Sequence, residues 1–333
     1  WPNKSKVFDI DNDGVDDWII GAGFLVRPFG NIIWMKGSES GGVLSFGAPQ
    51  FLELPDEGQW YHEALPADID GDGDMDMVTT SNDGDLESWG TSRVEWFENV
   101  GGPGEVSYVR HVIGEGGGAL LELFDLDEDG DMDIVLPQFF DGASLVWMEN
   151  KGDDVWESHL INDDTGRGFG VEFADINGDG KLDLVYGNHN HQNAEALDEQ
   201  VMGVYWWEIP TADEIHDLAD WGASMNVVYE GFYVDDPDPN TQGAPGVIHT
   251  GDVNGDGTID ISASGDGDGG VYVFTQEADG TFTQVTIDTG LVMAGDHHMM
   301  DLDGDGDMDF AWAVYGETGL LGPESVVYGY LQD

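Results

Sequence analysis

The chain has 333 residues, 69 of them Asp or Glu against 9 Lys or Arg, for a formal net charge of -60. A field of that sign repels DNA, RNA and anionic lipid, which excludes nucleic acid and acidic membrane surfaces as partners. Without Cys there are no disulfides and no thiol chemistry, and no run of 18 apolar residues is present to span a bilayer. The acid lies in short clusters among Trp, Val, Ile and Phe, unlike the composition of a disordered tail. Trp1 to Lys6 do not read as a signal peptide.

In chain order, a strand runs into an Asp-rich loop at Asp9, and a Trp-bearing strand follows at 32–35. A second loop begins at Asp68, followed by a Trp-bearing strand at 94–97, a Glu98-Asn99-Val100-Gly101 turn and a strand at 108–113. The third, at Asp125, repeats this with 145–148, Glu149-Asn150-Lys151-Gly152 and 156–161. The fourth, at Asp175, has its Trp-bearing strand at 204–207 and precedes the longest spacing. That spacing holds an insertion at 194–222, whose parts 194–200 and 211–222 alone have helical character. Residues 235–246, rich in Asp, Pro and Gly, read as a second surface loop. The fifth and sixth loops begin at Asp252 and Asp301, with weaker strand echoes at 271–274 and 326–330. Four strands per repeat predict one all-β domain over 1–333, a β-propeller of four-stranded blades. Six loops favour six blades, with seven the alternative, on a chain that opens on an inner strand and ends on a third.

Each loop follows Asp-x-(Asp/Asn)-x-Asp-Gly-x-x-Asp. The first is Asp9, Asp11, Asp13, Asp17; the second Asp68, Asp70, Asp72, Asp76; the third Asp125, Asp127, Asp129, Asp133. The fourth and fifth place Asn second, as Asp175, Asn177, Asp179, Asp183 and Asp252, Asn254, Asp256, Asp260; the sixth is Asp301, Asp303, Asp305, Asp309. Ca2+ takes six to eight oxygen ligands, and carboxylates at alternate positions of a tight loop converge on one ion. Gly at the sixth position permits the turn. The seventh position varies (Val15, Asp74, Asp131, Lys181, Thr258 and Asp307), as suits a backbone carbonyl ligand. Position twelve is Ile20, Thr79, Leu136, Tyr186, Ala263 and Trp312, so the closing Glu of an EF-hand is missing and strands follow instead. Solvated acidic turns without metal are the bland alternative, disfavoured because four or five packed carboxylates repel one another. Mg2+ suits the spacing less than Ca2+, since it demands a stricter octahedron and keeps its waters.

These loops resemble the calcium-binding propeller repeats of the FG-GAP and VCBS type, found in integrin α-subunits, bacterial surface proteins and some polysaccharide-active enzymes. The resemblance covers essentially the whole chain. It implies a loop between the innermost and second strands of each blade, about six Ca2+ ions and an extracellular or cell-surface setting. It also implies a binding or adhesion module for a glycan or protein; the surplus negative charge suits a structural module whose copies assemble through calcium bridges. The alternative is a sugar- or polysaccharide-active lyase or dehydratase. By similarity to propeller lyases acting on uronic-acid polymers, His62 or His189 would be the base, Tyr61 the acid and Arg167 the carboxylate clamp, with His191 and Arg27 near the same face.

Three residues before each first Asp lie Lys6, Leu65, Glu122, Glu172, His249 and His298; the next register is mostly apolar. Glu122, Glu172, His249 and His298 at equivalent places are candidates for an axial transition-metal site, because mixed N and O donors suit Zn2+, Mn2+, Fe2+ or Cu2+. The bland alternative is a set of channel-lining residues bonded to water and to each other. His111 and His159, on fourth strands, read as exposed edge residues.

Overall fold

The computed structural model describes residues 2–23, 30–52, 59–83, 91–117, 120–139, 144–189, 202–232, 245–265, 270–288, 294–305, 308–314 and 326–330. The expected insertion segment 194–200, most of 235–246, and His191, Arg27, Gly306 and Asp307 lie outside the described residues.

The architecture is all-β and of β-propeller type, a succession of antiparallel blade sheets. The first sheet is β1 (Pro2–Phe8), β2 (Asp17–Ala22), β3 (Asn31–Met35) and β6 (Gln50–Phe51). A separate hairpin, β4 (Gly37–Ser40) with β5 (Val43–Phe46), interrupts it. In the second sheet the inner edge is broken into β7 (Trp60–Tyr61) and β8 (Leu65–Ala67), both paired to β9 (Asp76–Asn82), followed by β10 (Ser92–Asn99) and β11 (Tyr108–Glu115). The third is β12 (Glu122–Phe124), β13 (Asp133–Gln138), β14 (Ser144–Asn150) and β15 (Trp156–Asn162). The fourth is β16 (Gly168–Ala174), β17 (Asp183–Asn188), β18 (Met202–Glu208) and β19 (Met225–Phe232). Among the described residues a single short helix, α1 (Leu218–Ser224), precedes β19 and realises the helical character read at 211–222. The fifth is β20 (Ile248–Gly251), β21 (Asp260–Ser264), β22 (Val271–Gln276) and β23 (Phe282–Asp288). The sixth is β24 (Ala294–Met300), β25 (Asp309–Val314) and β26 (Val326–Tyr330).

The chain divides into two compact units, one of residues 1–142 and 146–159, the other of 143–145 and 160–333. The second strands β9, β17 and β21 are buried along their whole length, because both of their faces are covered. That is why they show no alternation of apolar and polar residues. In the first unit Phe8, Ile10, Ile19, Ile32, Trp34, Met77 and Phe97 share one core with Tyr61. In the second unit Val185, Val204, Trp206, Phe232, Ile261 and Phe274 form another, and Val253, Val271, Phe310 and Trp312 a third. No helix among the described residues is long and apolar enough to cross a membrane.

Candidate metal loops and the inner-strand cluster

Every Asp-rich loop joins the first strand of a sheet to its second. The sixth-position glycines take left-handed backbone, with φ of 89° at Gly14, 99° at Gly73, 103° at Gly130, 88° at Gly180 and 90° at Gly257. A side chain there would be strained, which accounts for the invariance within this chain. The fourth position is left-handed as well, at Asn12, Gly71, Glu128, Gly178, Gly255 and Gly304, a requirement the motif alone does not announce.

Backbone amides hold the carboxylates in place. In the third loop Asp129 N donates to Asp125 Oδ1 at 3.0 Å and Gly130 N to Asp125 Oδ2 at 3.0 Å. Asp131 N then donates to Asp129 Oδ1, also at 3.0 Å. The fourth and fifth loops repeat the pattern through Asp175 and Asp179, and through Asp252 and Asp256. The sixth shows its described part, Asp305 N to Asp301 Oδ1 at 3.1 Å.

The ninth-position Asp does more than close the loop. Asp133 Oδ2 accepts from Leu126 N at 3.0 Å and its Oδ1 from Asn150 N at 2.8 Å, which ties loop to third strand. Asp17, Asp76 and Asp260 do the same with Gly37, Asn99 and Gln276. Burial pushes the carboxyls of Asp76 and Asp183 up to about 6 and that of Asp133 to about 7, against the pull of these amides. Neighbouring loop carboxylates add to the rise.

The loops fit a hard divalent cation. Carboxylate oxygens of Asp9, Asp11 and Asp13 lie within 4.8 Å of one another, as do those of Asp68, Asp70 and Asp76, and of Asp125, Asp127 and Asp133. Oxygens sharing one Ca2+ are at most ~5 Å apart, twice the metal–oxygen distance. Asp68 Oδ1 is buried and carries no hydrogen bond, which leaves it oriented for a cation, and Asp11 Oδ1 is equally bare although Lys36 already holds its Oδ2.

A different cluster forms on the inner strands of the second unit. His249 Nδ1 is 2.5 Å from Glu172 Oε1, and its Nε2 is 3.1 Å from Asp296 Oδ1. Thr250 adds its backbone N–H and hydroxyl to Glu172 Oε2 at 2.8 and 3.0 Å. His298 Nε2 stands 3.7 Å from Asp296 Oδ2, and the His298 and His297 rings lie 5.1 and 4.9 Å from that of His249. Ser262 Oγ meets His297 Nε2 at 2.6 Å. Burial opposes charge on His249, but the Asp296 and Glu172 carboxylates outweigh it and raise the imidazole to about 9. His249 is therefore an imidazolium donating to two carboxylates.

Of the residues expected at an axial site, Glu172, His249 and His298 meet, joined by Asp296 and His297, while Glu122 belongs to β12 of the first unit. The Asp296 carboxylate reaches His249 from two residues further up β24 than the register three before each loop. Tyr61 is buried in the first unit's core, its ring 6.4 Å from Phe97, so it is not on an open face. His62 is buried with its ring 4.7 Å from Trp60. In the second unit His189 is buried beside Phe169 and its N–H donates to the Arg167 carbonyl at 2.7 Å. His111 and His159 are not exposed edge residues. His111 stacks on Trp96 at 4.3 Å and bonds Glu98 and Asp154, and His159 bonds Glu149 at 2.8 Å.

The model of the FG-GAP-like repeat matches residues 9–79, 125–186 and 239–312, together more than half of the chain. The chain belongs to the FG-GAP-like repeat family. Each matched stretch spans two of the Asp loops and the strands between them. No curated protein sequence matches this FG-GAP-like chain. Among solved structures it is similar to a rhamnogalacturonan lyase from Bacillus licheniformis, at 11% identity and a TM-score of 0.43, covering 94% of this chain. It spans 65% of the lyase's length. It is also similar to a putative oxidoreductase (glucose dehydrogenase) from Thermus thermophilus, at 13% identity and a TM-score of 0.44, covering 94% of this chain and 92% of that one.

Proposed function

We propose that the chain is an extracellular or cell-surface binding module whose propeller blades are stiffened by Ca2+, and that its ligand is a glycan or a protein. The observation that carries the calcium reading is the convergence of loop carboxylates, held by backbone amides, around buried oxygens with no hydrogen bond. Asp9, Asp11 and Asp13, with their counterparts in the other loops, would hold the ion, which supplies charge neutralisation and rigidity. A cation that binds only the folded state stabilises it by mass action. Elemental analysis after dialysis against calcium should find several equivalents, and chelation should lower the melting temperature sharply. An unchanged melting curve in EDTA would refute the reading. Adhesion and calcium-bridged self-assembly are tested on the same material by glycan arrays and by sedimentation with and without calcium.

The inner-strand cluster favours a second reading, a sugar-active lyase or dehydratase working from the second unit. Glu172, His249, Asp296 and His298 offer a proton carrier between carboxylates, and the N/O donor set also suits Zn2+, Mn2+, Fe2+ or Cu2+. Such a metal would take the place of the His249 proton. One equivalent of transition metal in the native protein, lost in His249→Ala/His298→Ala, would support it, and equal metal content in both would dismiss the metal.

A further inference from the structure

The loops differ at one position outside the motif. The residue that donates its amide to the ninth-position Asp is Gly37, Asn99, Asn150 or Gln276, in the first, second, third and fifth sheets. The residue just before it lies alongside the loop. It is Lys36, Glu98, Glu149 and Thr275 in those sheets, and the fourth supplies Glu208, which pairs with Asp183.

Its chemistry changes sign. Glu208 Oε1 accepts from Asn177 Nδ2 at 3.3 Å, while Glu149 pairs with Lys151 and His159, and Glu98 with His111. Glu208 thus brings a carboxylate onto the second position of the fourth loop. Thr275 turns away to the Thr283 carbonyl. Lys36 does the opposite, pairing its ammonium with Asp11 and lying 2.7 Å from Asp13. Asp11 and Asp13 are the second and third carboxylates of the first loop.

We propose that Lys36 is a built-in counter-cation of the first loop, which makes that loop the last to take calcium and able to hold its shape without it. This rests on the calcium reading of the other loops. A positive charge within ~4 Å of the carboxylates both satisfies them and repels an arriving divalent ion, weakening its affinity on the order of ten-fold or more. Glu208 at the equivalent position of the fourth loop raises affinity by the converse argument. The residue at this position thus grades loops that share one motif.

Calcium binding by calorimetry and elemental analysis on the full chain tests this with Lys36→Gln and Lys36→Arg. Lys36 is partly exposed, so both variants should fold. Lys36→Gln should bind one calcium equivalent more than the wild type at the same free calcium, while Lys36→Arg matches the wild type. In EDTA, Lys36→Gln should melt below the wild type, and the gap should narrow or close in calcium. Equal stoichiometry and equal isotherms for wild type and Lys36→Gln would overturn the role of Lys36 and leave the calcium reading standing. Absence of calcium binding in every protein would overturn both.

Discussion

The side-chain amide of Asn150 donates to the backbone carbonyl of Ile69, 81 residues earlier and in the metal loop of the preceding sheet, at 3.3 Å. The same residue ties its own loop through Asp133 and its own turn through Gly152. Asn99 repeats the arrangement on Ile10, where Tyr108 joins it, and Gln276 on Ile176.

Removing this latch should be costly. Asn150→Ala strands a buried carbonyl, and the loss expected is about 1–3 kcal/mol. Urea unfolding of the variant against the wild type measures it, and a midpoint unchanged within error would show that water or repacking replaces the amide.

Glu128 has φ of 59° at the fourth loop position, where four other loops place Gly. Glu128→Gly relieves a left-handed residue and should stabilise the protein by up to about 1 kcal/mol, provided the side chain itself contributes little. Thermal melts in calcium give the sign. A fall in melting temperature would mean that the relief of left-handed strain is smaller than the entropy glycine adds to the unfolded chain.

His249 supplies a pH signature. Its folded value of about 9 exceeds the ordinary 6.5 of a histidine, so the folded state binds the extra proton between those values. Its stabilisation is therefore complete below about pH 6.5 and is lost as pH rises through 9. Between about pH 6.5 and 9.5 the wild type should lose more melting temperature than His249→Gln. Parallel curves would show that the imidazole is not held charged by Glu172 and Asp296.

The strands and loops were legible because each repeat restates the same spacing and Trp-bearing strands punctuate it. The inner-strand triplet Glu172, His249 and His298 was legible from register, since equivalent places on neighbouring strands face one another. The buried setting of Tyr61 and His62 was not, because the inner edge of the second sheet breaks into β7 and β8 and alternation fails there. The partners of His111 were also hidden. Trp96 Nε1 and His111 both reach Asp154, 58 and 43 residues away, and no local pattern encodes such a meeting.

The latch also bears on how the molecule comes apart. A loop whose second-position carbonyl is gripped by the next sheet cannot soften alone. Within each unit, neighbouring repeats are then coupled elements, each drawing part of its stability from its contact with the next. Damage at a single loop would spread to its neighbour before it appeared as a local defect, so melting within a unit should be sharper than its short, separately wound sheets suggest.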